Sequence, residues 1–345
     1  MRPRTDDSRR SVCLNKDFGV SLENVTRADL RDPDFRQEAE TLWIERRGLL
    51  AVRGDELSEL TPDELTDWAS VFGDIDNERL SARDFCTVTG HPIIRLGNVA
   101  DDDGNPRAMF ADMPVLTDHS DVQYNATTQR PVWHTDSTFR ATPPIGSVFH
   151  CKLAPPHGGD TLFADTRGAL AALDEATRLH LGELEAVCSL AHHDKKVNLY
   201  SPTYPTLNAE QRAANPPNRV PIVLQHPISG QPALYGMNSS TCAVVHKGMT
   251  VSDERMDVFD LEGIEDESVG ILRNLLPHAT GPKFTVRWRW HPGDVVVWDN
   301  RCTMHAATGF DHDSHEREMW RMTLLERAVG DVRAQCDKST QIKTR

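Results

Sequence analysis

Residues 284–298 read FTVRWRWHPGDVVVW. Phe284, Val286, Trp288 and Trp290 alternate with Thr285, Arg287 and Arg289, the period-2 pattern of a strand with one buried face. Pro292-Gly293-Asp294 turns the chain, and the apolar run 295–298 follows as a buried strand. Working outward, 145–152 and 161–164 are strand-like with Gly158-Gly159 turning between them, and 316–327 is a final strand. Upstream, 34–47 reads as a helix with Phe35, Ala39, Leu42, Trp43 and Arg46 on one side and Gly48 as its stop, followed by a short strand at 49–52. Thr61-Pro62-Asp63-Glu64 is a capping box with proline at the first helical position; its helix carries Leu65, Trp68, Ala69 and Phe72 and ends at Gly73. Residues 91–96 form another strand. The stretches 166–184 and 268–276 read as helical, with a Pro-rich irregular region at 201–232 between them. Short strands with turn signals and one mostly helical insert predict an α+β chain built as a two-sheet jelly roll, with helices packed outside.

The 345 residues suffice for a sizeable core. No internal repeat or low-complexity linker divides them. The expected organisation is a flexible lead at 1–15, one domain at 16–331 and a tail at 332–345. A net charge of −14 without basic blocks argues against nucleic acid as a partner. No apolar run approaches the roughly 18 residues of a membrane span, and the N-terminus lacks the apolar core of a secretory signal. The seven cysteines are scattered and form no C-x-x-C pair, which disfavours a disulfide scaffold or a cysteine-zinc site and points to a reducing, cytoplasmic setting. The acidic runs at 101–103 and 253–267 lack calcium-loop spacing and read as solvated surface. A small molecule is the expected partner, and a homo-oligomer stays open.

Three groups of residues carry chemistry. His134-Thr135-Asp136 follows Val132-Trp133; on an extended backbone the i, i+2 spacing sends the imidazole and the carboxylate to one side. Alone, an H-x-D among fifteen histidines is equally well a surface loop. Trp298-Asp299-Asn300-Arg301 leads to His305 through a short turn, placing that histidine at the mouth of the sandwich, although an ordinary loop histidine fits too. Two histidines and one carboxylate match the facial triad of non-haem iron(II), whereas structural zinc wants four protein ligands. Arg317 and Arg321 share a strand face with Met319, Thr323 and Leu325; partly buried guanidinium groups need anions, either a ligand carboxylate or the chain's own acids.

WHTDSTFRATPPIGSVFHCKLAPPHGGDT (133–161), HPISGQPALY (226–235), RWRWHPGDVVVWDNRCTMHAAT (287–308) and REMWRMTLLE (317–326) resemble, in order, the motifs of the taurine dioxygenase/2,4-dichlorophenoxyacetate dioxygenase (TauD/TfdA) family. The similarity spans roughly residues 17–331. It implies a double-stranded β-helix with flanking helices and a helical insert, and an oxidoreductase using iron(II), 2-oxoglutarate and dioxygen. It implies His134, Asp136 and His305 as iron ligands and Thr161, 27 positions after His134, as hydroxyl donor to a 2-oxoglutarate carboxylate. Arg317 would anchor the distal carboxylate. It stands 12 residues after His305, one more than the family implies, so 309–315 reads as holding an insertion and Arg321 stays an alternative. Arg321 would otherwise meet the substrate or the cosubstrate's metal-side carboxylate, and Trp298 would line the oxygen side of the pocket. The expected outcome is hydroxylation, desaturation or ring closure of a small carboxylate-bearing substrate, with succinate and carbon dioxide released; retention of Asp136 disfavours halogenation. Asp76 stands where taurine-type members carry an anion-facing histidine. Together with Arg130 and Arg321 it suggests a substrate bearing both an amine and a carboxylate, such as an amino acid; the alternative is that Asp76 simply pairs with Arg130 or another arginine and never touches the ligand. The alternatives are a sulfonate or sulfate-ester dioxygenase and, from another class, a non-oxidative cupin-like metal protein. His312-Asp313-Ser314-His315 reads as a solvated loop, and His192-His193 as structural or near the pocket entrance.

Overall fold

The computed structural model describes residues 10–77, 84–109, 124–125, 130–131, 133–200, 206–237, 240–250 and 267–327. Two β-sheets face one another. The larger has eight strands in the order Arg10–Cys13, Val20–Glu23, Leu49–Val52, Val295–Asp299, Gly146–Leu153, Glu318–Leu325 and Asp74–Ile75, with Ile94–Gly97 also paired to Glu318–Leu325. All its ladders are antiparallel except that between Val20–Glu23 and Leu49–Val52. The smaller sheet runs Thr285–Trp288, Thr161–Asp165, Thr303–Ala307, antiparallel throughout.

Alternation along each strand sorts the side chains. From the large sheet Val52, Leu50, Val148, Val295, Val297, Met322 and Leu324 point outward, under two helices. The helix Pro33–Glu45 is capped by Asp32, whose carboxylate accepts the Asp34 N–H at 2.9 Å. The helix Pro62–Ala69 opens with the expected Thr61/Glu64 capping box. Phe35, Trp43 and Trp68 from these helices, with Phe72 just past the second, pack as a connected aromatic group on the sheet. On the inner side Ala51, Phe149, Cys151, Val296, Trp298 and Met319 meet Phe163, Val286, Trp288 and Trp290 from or beside the small sheet. The small sheet's other face, Ala164, Met304 and Ala306, is covered by the insert.

That insert departs from the expectation. Residues 166–184 split into the helices Thr166–Ala171 and Glu175–Gly182, and Leu184 begins a strand, Leu184–Cys188, rather than ending a helix. The described part of 201–232 is not irregular: Asn208 caps the helix Ala209–Ala214, and the strands Asn218–Pro221 and Val223–Gln225 follow. Leu184–Cys188 pairs with Asn218–Pro221 and Thr241–His246, and the helix Glu267–Ala279 runs longer than 268–276. Arg10–Cys13 also corrects the reading of 1–15 as a flexible lead, because it pairs with Val20–Glu23 at the sheet edge. Residues 1–9 and the tail 332–345 lie outside the described residues.

Candidate metal and cosubstrate site

The histidine-bearing segments are joined directly. His134 N–H donates to the His305 carbonyl and His305 N–H to the His134 carbonyl, each at 2.9 Å. The Thr303–Ala307 strand presents His305 to the interior beside Phe163, its partner across the ladder. Its ring packs on Trp298 at 4.7 Å between centroids and on Phe163 at 6.3 Å. The i, i+2 relation then brings in Asp136. His134 Nε2 and His305 Nε2 both lie 3.8 Å from Asp136 Oδ1, and the three ligand atoms fall within 4.8 Å of one another.

The electrostatics suit a divalent cation. Burial, helped by His134 alongside, pushes the His305 imidazole down to about 3, so it is neutral at pH 7. Burial pushes the Asp136 carboxyl up, but Arg321, His305, His134 and the Ser147 hydroxyl outweigh it and hold the group well below the carboxylate range. A neutral imidazole and an ionised carboxylate are the states a metal requires. Asp136 divides its two oxygens. Oδ2 accepts from Ser147 Oγ at 3.0 Å and lies 3.0 Å from Arg321 Nη2, which leaves Oδ1 facing the imidazoles. With no fourth ligand among the described residues, the set fits an open iron(II) site and not a closed zinc site.

Arg317 lies at one end of the small sheet. Its Nε donates to the Gly159 carbonyl at 3.0 Å, and among the described residues no carboxylate pairs with it. Desolvation pulls the guanidinium down to about 10, against the opposing pull of Cys151 and Asp160. Thr161, two residues past Gly159, accepts the Trp290 indole N–H at 2.9 Å, so its own hydroxyl proton is left to donate. Gly159 (φ +66°) is required there, because a Cβ would meet Arg317 Cδ at 3.2 Å and Pro155 Cγ at 2.8 Å. A half-buried cation and an oriented hydroxyl fit the distal carboxylate of 2-oxoglutarate.

The family model described as taurine catabolism dioxygenase TauD, TfdA family matches residues 10–323. The chain belongs to this family. As a TauD/TfdA member it is an oxidoreductase, a dioxygenase that uses iron(II), 2-oxoglutarate and dioxygen. It is 29% identical over 322 residues to the alpha-ketoglutarate-dependent 2,4-dichlorophenoxyacetate dioxygenase of Cupriavidus pinatubonensis, covering 90% of this chain and 96% of that one. It is 31% identical over 214 residues to an alpha-ketoglutarate-dependent sulfate ester dioxygenase of Pseudomonas putida, covering 61% and 64%. In fold it resembles AAD-2, solved with Mn(II) and N-oxalylglycine, at a TM-score of 0.66 and 24% identity over 93% of this chain and 98% of that one. The non-oxidative cupin-like alternative is thereby set aside.

Within this TauD/TfdA site two sequence expectations need correction. Asp76 does not offer a carboxylate to a ligand: it is buried, and Arg140 Nη1 holds its Oδ2 at 2.6 Å. Trp298 has no accessible surface left for oxygen or substrate. Its ring is packed on His305 and Phe149, and its N–H donates to Asn300 Oδ1 at 3.0 Å. The Arg130 side chain lies outside the described residues. Arg321 is at the centre, on Asp136, with its Nε buried and making no hydrogen bond. His312 and His315 sit on a surface turn held by the Asn98 amide. His192 is buried, and His193 stacks on Phe139 at 5.7 Å. Sequence reasoning missed Ser147 and Trp290 as supports of Asp136 and Thr161. The strand periodicity around Trp290 fixed its inward face, but no signal in PPIGS marked Ser147.

Proposed function

We propose that the enzyme oxidises an unactivated C–H bond of a small carboxylate-bearing molecule, by hydroxylation, desaturation or oxidative cyclisation, and releases succinate and carbon dioxide. His134, Asp136 and His305 would hold iron(II), with Thr161 and Arg317 on the distal carboxylate of 2-oxoglutarate. The two facing sheets are read as a double-stranded β-helix, supported by the fold likeness to AAD-2. Iron(II), when bound, supplies the redox chemistry that couples cosubstrate decarboxylation to C–H oxidation. The protein's part is positional. Ser147 and Arg321 fix one oxygen of Asp136 so that the other faces the metal position, and Trp290 aims the Thr161 proton. The buried walls Phe163 and Trp298 keep water from the back of His305.

The observation that carries this reading is the half-buried Arg317, paired with no carboxylate among the described residues and placed beside an open three-ligand set. Arg321 remains the cation for a substrate carboxylate or for the cosubstrate's metal-side carboxylate. With Asp76 committed to Arg140, the carboxylate that suggested a substrate amine is already paired. The relative matched over nearly its full length acts on a phenoxyacetate, which favours a carboxylic acid; the sulfate-ester relative, matched over a shorter stretch, gives the second reading. The test is succinate release on a panel of phenoxyacetates, amino acids and their deaminated analogues, alkyl sulfates and taurine. Carboxylic acids lacking an amine should support the fastest turnover. A sulfate ester or taurine as the best substrate would overturn the assignment.

A further inference from the structure

Behind the site lies a second buried cluster, His226, Asp299 and Cys302, whose donor atoms also fall within 4.8 Å of one another. Unlike the first, every member is engaged. Asp299 Oδ1 accepts from the Arg301 backbone N–H and from Arg301 Nε, both at 2.9 Å. Its Oδ2 accepts from Arg301 Nη2 at 2.7 Å and from His226 Nε2 at 2.9 Å. His226 Nδ1 accepts the Ser229 N–H at 3.1 Å, which fixes the tautomer that donates from Nε2. The Cys302 thiol donates to the Arg47 carbonyl. Asp299 and His226 have no lone pair left for a cation, and the Cys302 sulfur alone does not make a site.

Its position supplies another use. Asp299 ends one strand of the large sheet, and Thr303 begins the small-sheet strand that carries His305. Thr303 Oγ1 donates to the Asp299 carbonyl at 2.8 Å, and the Thr303 carbonyl accepts from Thr135 Oγ1 at 3.4 Å, between the two ligands His134 and Asp136. Trp298, next to Asp299, backs the His305 ring. His226 comes from the insert, so one imidazole ties the insert to the turn between the sheets. Buried ion pairs add little to stability compared with apolar packing, whereas outer groups that orient ligands strongly affect metal affinity.

We propose that His226 and Asp299, with Arg301, form a positioning network that sets His305, and through Thr303 the His134–Asp136 segment, in metal-binding geometry. The inference rests on the metal-site reading above. It is tested on the full chain under anaerobic conditions with His226→Leu, His226→Gln and Thr303→Val. The readouts are Mn(II) affinity, followed by the paramagnetic resonance of free ion, and thermal stability. His226→Leu should weaken Mn(II) binding by about tenfold or more. His226→Gln, whose amide can still donate to Asp299, should recover most of that loss, and Thr303→Val should show a loss of about threefold even if His226→Leu fails to fold. Lowered melting temperatures with Mn(II) affinity unchanged would reduce the network to a structural element and overturn the proposal. So would a wild-type stoichiometry of two Mn(II) per chain with one lost in His226→Leu, because the cluster would then be a metal site itself. His134→Ala separates the two readings: if it bound Mn(II) as tightly as wild type, the triad assignment itself would be the one to fail.

Discussion

Asp136 and Asp299 are both buried carboxylates facing an arginine, and they differ in what they leave over. Asp299 is saturated: Arg301 grips it with two side-chain nitrogens and one backbone N–H, His226 fills the remaining direction, and the group is held near 2 against the upward push of burial. Asp136 has one oxygen satisfied by Ser147 and Arg321; the other faces two imidazole nitrogens at 3.8 Å, too far for hydrogen bonds and spaced to admit an ion. Burial and charge alone do not distinguish the two centres. The count of unfilled lone pairs does, because a buried acceptor left open is costly unless something else occupies it.

The largest effect expected from this contrast separates the two residues by kind. Asp136→Asn should abolish Mn(II) binding in calorimetry while the chain stays folded. Asp299→Asn leaves Arg301 buried against a neutral partner and should cost about 3–5 kcal/mol of folding free energy in chemical denaturation. If Asp136→Asn proved the more destabilising, the contrast would break.

The arginines sharpen it at the next scale. Arg317→Ala removes the cation that waits for a carboxylate, a loss on the order of 2–5 kcal/mol for a desolvated pair. Affinity for 2-oxoglutarate, titrated through the visible band of the anaerobic iron complex, should fall by more than tenfold while metal binding survives. Trp290→Phe keeps an aromatic ring but removes the indole N–H and frees the Thr161 hydroxyl to rotate, and about 1 kcal/mol of the same affinity should go with it. A larger loss for Arg321→Ala than for Arg317→Ala would exchange the roles of the two arginines.

The last effect lies far from the site. His150 is buried, donates from Nε2 to the Leu57 carbonyl at 2.9 Å, and is pushed down to about 3 by burial and by Lys152. Below its ordinary 6.5 the unfolded chain takes up a proton that the folded chain refuses. Its contribution is therefore complete above 6.5 and declines as the pH falls towards 3. Urea midpoints at pH 7 and pH 5 should differ less in His150→Gln than in wild type.

The metal triad and the arginine strand were legible because their signals are local: an i, i+2 pair, a turn before a histidine, alternation along a strand. Asp76 was open between a ligand and an arginine, because its partner, Arg140, is 64 residues away and no periodicity reveals an ion pair. Trp298 was placed in the pocket because sequence shows which face a residue takes but not how closely that face is packed. The insert's short strands were hidden by proline-rich composition, and Arg10–Cys13 by its lack of any buried face. The supports of the site, Ser147, Trp290 and His226, come from separate strands and loops, so their roles emerge only once the sheets are closed.

The reciprocal N–H···O pair between His134 and His305 gives the metal centre an unusual independence from the metal. In small zinc-folded domains the ion gathers its ligands, and removing it unravels the chain. Here the backbone has already gathered them, and the apolar layers on either side hold the sheets without the ion's help. The ion is thus a replaceable passenger. A chelator should strip it and leave a folded shell that accepts a new ion at once, so oxidative loss of iron would be a reversible injury to the enzyme rather than a terminal one.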